Sequence, residues 1–136
     1  MFTLICGLPN AGKTTYSAQF NNVLHLDDFP PSRFLNCNRA VAESDGDVVV
    51  EGIYNIRCRR ELLLKGAKGL KVCIWIDTPL EVCLSRCSEG RPEHIVHTGA
   101  RMFQPPTYSE GWDEIIIVKD GIETMMPREE NYGGFN

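Results

Sequence analysis

Several absences bound the 136-residue chain before any motif is considered. No apolar run approaches the length that crosses a bilayer. No basic leader with a cleavage site precedes the first apolar stretch, so a cytoplasmic setting without a membrane partner is expected. Excess positive charge is also missing. The formal net charge of -4 argues against general attraction to nucleic acid or anionic lipid, and any polyanion needs a local basic site. The six cysteines include no CxxC pair. Cys6, Cys73 and Cys83 sit in apolar runs where a thiol behaves as a small hydrophobe, while Cys37, Cys58 and Cys87 fit no zinc spacing. Reduced thiols are expected. Internal repeats and low-complexity segments are absent as well, and a chain this long, folded as one domain, removes roughly two-thirds of its unfolded surface from water.

Five β-rich runs are present: "FTLIC" (2–6), "VLHLD" (23–27), "VVVEG" (48–52), "LKVCIWID" (70–77) and "EIIIVK" (114–119). The third and fifth are almost continuously apolar, which suits strands covered on both faces, as in a parallel sheet. Helical stretches are expected at about 13–20, 33–44, 56–66, 79–88 and 92–103. "SDGD" and "KGAKG" are turn material before strands, and "TP" places Pro79 at the first turn of a helix, where its missing N–H costs nothing. Strand and helix alternate, so right-handed βαβ units in one open sheet follow, with the ligand site at the carboxyl edge of the strands. Residues 1–120 form the expected domain. The polar, glycine-containing stretch 121–136 reads as a C-terminal tail.

Directly after the first run stands "GLPNAGKT" (7–14). Gly7, Gly12, Lys13 and Thr14 satisfy GxxxxGK[ST] in the required context, a strand before and a helix after. The glycines let backbone N–H groups converge on one anion. The expected nucleotide contacts are Gly7, Asn10, Ala11, Gly12, Lys13, Thr14 and Thr15. Lys13 reaches the outer phosphates, and the Thr14 hydroxyl ligates Mg²⁺. ATP and Mg²⁺ are therefore the expected cofactors. Such a loop serves kinases, GTPases, motors and switches alike, so the remaining strand ends must choose among them.

The second strand run ends in Asp27 and Asp28. Neighbouring side chains on an extended strand point oppositely, so one of the two enters the site. Asp27 is favoured as the group that takes a proton from an attacking hydroxyl, and a turn or capping role is the competing reading. Glu51 ends the third run and is the second residue expected at Mg²⁺, through water, with contact to the acceptor as the alternative. After the fourth run, Arg86, Gly90, Arg91 and Arg101 fall in a segment, about 86–101, that reads as a lid whose arginines cover the phosphates. Lys13, Asp27, Arg86 and Arg91 are thus the expected catalytic set.

Together "GLPNAGKTT", "LDDF", "VVVEGIYN", "DTPLEVCLSRC" with "GRP", and "QPPTYSEGWDEIIIV" resemble the small P-loop kinases of the polynucleotide kinase and zeta toxin-like group, over Phe2 to Lys119. The resemblance implies an α/β three-layer sandwich around a five-stranded parallel sheet, the P-loop NTPase fold in its nucleoside monophosphate kinase-like form. It also implies Asp27 as the base that activates the acceptor, with Arg86 and Arg91 as lid arginines. The chain departs from the group at Pro30, where an arginine is usual and Arg33 is the available substitute. Lid spacing differs by a residue, and no phosphatase domain follows.

The expected activity is transfer of the γ-phosphate of ATP to a hydroxyl on a small molecule, a nucleotide or a nucleic-acid end. An ATP hydrolase and a non-catalytic nucleotide-binding module are the alternatives, and no NKxD-like guanine motif supports a GTPase. Other candidates have two readings each. Arg57, Arg59 and Arg60 either receive an acceptor phosphate or form a solvated basic face. His94 and His97 have a metal-capable spacing without a third ligand. Tyr108 and Trp112 either flank a base or pack.

Overall fold

The computed structural model describes residues 1–128. Alternation along the strands divides the apolar side chains between two cores. In β1 (Phe2–Gly7) the side chains of Phe2, Leu4 and Cys6 enter one core and Ile5 the other. β3 (Val48–Glu51) sends Val48 and Val50 one way and Val49 the other, while β4 (Lys71–Ile76) divides Cys73 from Val72, Ile74 and Ile76. A sheet apolar on both faces must be covered on both. Helices α2 (Arg33–Glu43) and α3 (Arg57–Gly66) cover the first core with Cys37, Val41, Leu63 and Leu64. The second is closed by α1 (Lys13–Ser17), by Cys83 of α4 (Leu80–Ser85) and by Val96 of α5 (Glu93–Met102). Three layers result.

With β2 (Val23–His25), β5 (Glu114–Lys119) and β6 (Ile122–Met125), the sheet order is β2-β3-β1-β4-β5-β6. The first five strands are parallel, and β6 runs antiparallel to β5. The expected five-stranded sheet therefore gains a sixth strand. Its cause is the Asp120–Gly121 turn, where both residues have positive φ (52° and 77°). Two left-handed residues make the hairpin turn that matches strand twist. Residues 122–125, expected in the tail, are thus paired with β5; residues 129–136 of that tail lie outside the described residues.

Two elements are shorter than expected. α1 stops at Ser17, whose hydroxyl donates to the Thr14 carbonyl at 2.8 Å. This local bond competes with helix propagation, and Asn22, at φ 57°, completes the turn into β2. β2 ends at His25, and Leu26–Asp28 form a 3-10 turn. The choice between Asp27 and Asp28 is therefore made by a turn and not by strand alternation. All six cysteines are free, with Cys58 exposed and Cys87 half-buried.

Candidate active site

The phosphate loop bends where its glycines permit. Gly7 has φ 154°, and a Cβ there would lie 2.7 Å from the Ile76 carbonyl oxygen of the neighbouring strand, so a side chain would be both strained and in collision. Gly12 has φ 103° and opens α1. Other elements hold the loop in shape. The Thr78 hydroxyl, just past β4, donates to the Ala11 carbonyl at 2.7 Å. Asn10 donates to the Cys83 carbonyl at 3.3 Å and accepts, through its own carbonyl, from Arg86 at 3.0 Å.

Lys13 is 7% exposed and donates to the carbonyls of Gly7 and Leu8 at 3.1 and 2.7 Å. Its ammonium is thereby kept inside the curl of the loop. Burial lowers its pKa below the ordinary lysine value, an effect that the Glu51 carboxylate opposes.

Glu51 reaches the same place through sheet register. It pairs with Ile5 across β1 and shares the face of Val49, which is the α1 side of the sheet. There its Oε1 accepts from the Thr14 hydroxyl at 3.5 Å and lies 2.7 Å from His25 Nδ1. His25 is the register partner of Glu51 on β2. It was not among the expected site residues, although its position two before Asp27 was a usable signal. Two oxygen donors, a hydroxyl and a carboxylate, thus converge beside the loop. Hard oxygen donors of this kind fit Mg²⁺. Among the described residues, no group of three or more His, Cys, Asp and Glu side chains forms a metal cluster, so the His94 and His97 pair gains no third ligand.

Asp27 lines the cleft and Asp28 does not. Asp27 is ion-paired with Arg33 and lies 3.9 Å from Arg91. Arg33, the substitute expected for the arginine absent at Pro30, thus stands beside Asp27. The cleft has a volume of about 1130 Å³ and brings together Lys13, Thr14, Asp27, Glu51, Arg86 and Arg91. Asp120 and Gly121 of the β5–β6 turn close its far side. Within residues 86–101, α5 is seated by buried Val96 and by Gly99, whose bare Cα lies against Pro9. The turn before it is closed by hydrogen bonds between Ser88 and Arg91 backbones at 3.1 and 3.2 Å and lines the cleft.

Other expected candidates lie elsewhere. Arg60 is neither solvated nor at the cleft: it is fully buried and forked onto Glu110 at 2.7 and 2.9 Å. Arg57 is exposed and pairs with Glu61 and Ser109. Trp112 stacks on Phe2 and is 3% exposed, and the Tyr108 hydroxyl donates to the Met126 carbonyl. Both aromatics pack, and neither lines the cleft.

A strand, a glycine-rich loop and a helix at the carboxyl edge of a mostly parallel, helix-covered sheet define the P-loop type of α/β fold. A solved gluconokinase from Sinorhizobium meliloti 1021 has this fold: it is similar with a TM-score of 0.69 and 17% identity, over 85% of this chain and 80% of that one. At that identity the likeness is one of fold. No protein-family model matches the chain, and no curated protein is significantly similar to it. Among the described residues, no helix is long and apolar enough to cross a membrane.

Proposed function

We propose that the chain is an ATP-dependent phosphotransferase that moves the γ-phosphoryl group onto a hydroxyl of a small molecule or a nucleic-acid end. One observation carries this reading. A buried lysine, a hydroxyl–carboxylate pair and an aspartate flanked by arginines converge in a single cleft. A module that merely holds a nucleotide has no use for the last of these. The fold neighbour is named a gluconokinase, which supports the same reading.

In this mechanism Lys13 and the loop amides from Asn10 to Thr15 hold the β and γ phosphates. Thr14 and Glu51 would hold Mg²⁺, which when bound offsets phosphate charge. His25 fixes the carboxylate of Glu51 in position. Asp27 accepts the proton of the acceptor hydroxyl, whose oxygen then bonds to the γ-phosphorus as the bond to the bridging oxygen breaks and ADP departs. Arg86 and Arg91 face the charge that moves. The Ser88–Arg91 turn covers the reacting groups and limits entry of water.

The test is a screen with γ-labelled ATP against nucleosides, nucleotides, 5′-hydroxyl oligonucleotides and small metabolites. Labelled product that depends on Asp27 is the expected result. Asp27→Asn should retain ATP binding and lose transfer by roughly 10²- to 10⁴-fold, the usual worth of a positioned base. Normal transfer by this variant removes Asp27 from the mechanism. Phosphate release at the same rate with and without every acceptor identifies a hydrolase instead.

A further inference from the structure

Beside the main cleft lies a second cavity of about 370 Å³ that shares Arg33, Ile53 and Ile95 with it. This volume is at the small end of ligand sites, which run from about 300 to 1,000 Å³. The wall comes from the start of α2, the segment after β3, the first turn of α3 and one face of α5. Among the described residues no carboxylate lines it, although acids outnumber Lys and Arg 18 to 14 in the chain. Arg33, Arg59 and His94 do line it.

Two further observations point to a ligand. The Arg59 guanidinium lies 4.0 Å over the Phe34 ring, a contact that pre-orients its planar fork. Among the described residues it has no ion-pair partner. Asn55 is only 5% exposed and lines the cavity; its side-chain amide makes no hydrogen bond among the described residues, and since no fully buried side-chain nitrogen or oxygen there is unpaired, the amide is open to the cavity. An amide open to a small cavity and unspent on the protein is free to bond a ligand. Cationic and amide donors facing one small space, with no acid among them, suit an anion with oxygen acceptors.

We propose that this cavity binds the phosphate or carboxylate group of a small hydroxylated acceptor, an inference that rests on the phosphotransferase reading above. Arg59 and Asn55 hold the anionic group. Arg33 belongs to both cavities and is paired with Asp27, so it joins the anion site to the base and directs the hydroxyl end of the acceptor toward the main cleft. Ile53, Ile95 and Met102 cover the carbon skeleton. Acceptor choice is thereby made by charge at one end and by Asp27 at the other.

The experiment has two arms. In the first, protein saturated with a non-hydrolysable ATP analogue is titrated with inorganic phosphate while backbone amide NMR shifts are followed. Saturable shifts around 53–59 and 94–99, lost in Arg59→Ala and in Asn55→Ala with analogue binding intact, are expected. In the second, labelled ATP is offered with sugar phosphates, sugar acids and the neutral parent sugars. Charged acceptors should be used in clear preference, and the better charged class identifies the anion. Arg59→Ala should raise KM for that acceptor about tenfold or more, the worth of a charge-assisted hydrogen bond, with kcat nearly unchanged. Absence of phosphate-induced shifts, or equal use of neutral sugars or 5′-hydroxyl oligonucleotides, overturns the proposal and leaves the phosphotransferase standing. Phosphate shifts lost in Arg59→Ala, with no acceptor ever labelled, support the anion site and overturn the phosphotransferase.

Discussion

Arg60 and the arginines of the cleft carry the same guanidinium into opposite surroundings. Arg60 is fully buried, with two hydrogen bonds to Glu110 and one each to the carbonyls of Tyr54 and Gln104, at 2.7 to 2.9 Å. Glu110 in turn accepts from Trp112 at 3.0 Å and from the Thr107 backbone at 3.0 Å. Burial works against the Arg60 charge, and the Glu110 hydrogen bonds together with charge attraction from Cys6, Glu110 and Cys73 outweigh it, so its pKa stands above the ordinary value. Four of the five Arg60 N–H groups are spent inside this network, out of reach of the cleft. Arg33 and Arg91, by contrast, are 41% and 43% exposed and share one carboxylate, Asp27. A buried arginine with four internal hydrogen bonds binds α3 to the loop before β5; half-exposed arginines face a cleft. Hydrogen-bond capacity still unspent, more than charge itself, separates a ligand-facing cation from a structural one.

The comparison is most severely tested at Arg60. Arg60→Ala leaves Glu110 buried without its counter-charge, which should cost about 3–5 kcal/mol and lower Tm by roughly 10–20 °C, measured by calorimetry. An unchanged Tm would erase the distinction between the two regions. Next in size is Lys13→Ala. Turnover should fall on the order of 100-fold or more, the scale of losing one preorganised charge-stabilising donor, while circular dichroism reports a retained fold. A thermal loss as large as that of Arg60→Ala would move Lys13 to the structural side. The smallest effect is expected at Arg91, whose half-exposed side chain should cost less than about 0.5 kcal/mol of stability on removal. Turnover of Arg91→Ala should fall about tenfold, or ~1.4 kcal/mol in the barrier; steady-state kinetics with wild-type turnover would remove it from the cleft's working set.

How legible each feature was depended on how far apart its parts lie in the chain. The strand order of types, the phosphate loop and most helix positions followed from runs of a few residues. β6 was missed even though its signal was local, because the Asp120–Gly121 pair was read as the start of a tail. α1 was overextended because a serine bond back to Thr14 leaves no trace in apolar periodicity. "NIRCRRELLLKG" displayed its arginines equally, and only the fold assigned Arg57 to an exposed pair, Arg59 to a cavity wall and Arg60 to the interior.

What the sequence determined by itself is the glycine-rich loop and the layered architecture. Residues 7 to 14 form a contiguous loop whose bends need glycine at particular positions, and strand and helix periods are properties of short windows. The tertiary structure decided the company those residues keep. His25 meets Glu51 from 26 residues away, Arg60 meets Glu110 from 50, and Arg33 belongs to two cavities at once. Such meetings are set by strand register and helix docking, which depend on the whole sheet being assembled, so no local window of sequence contains them.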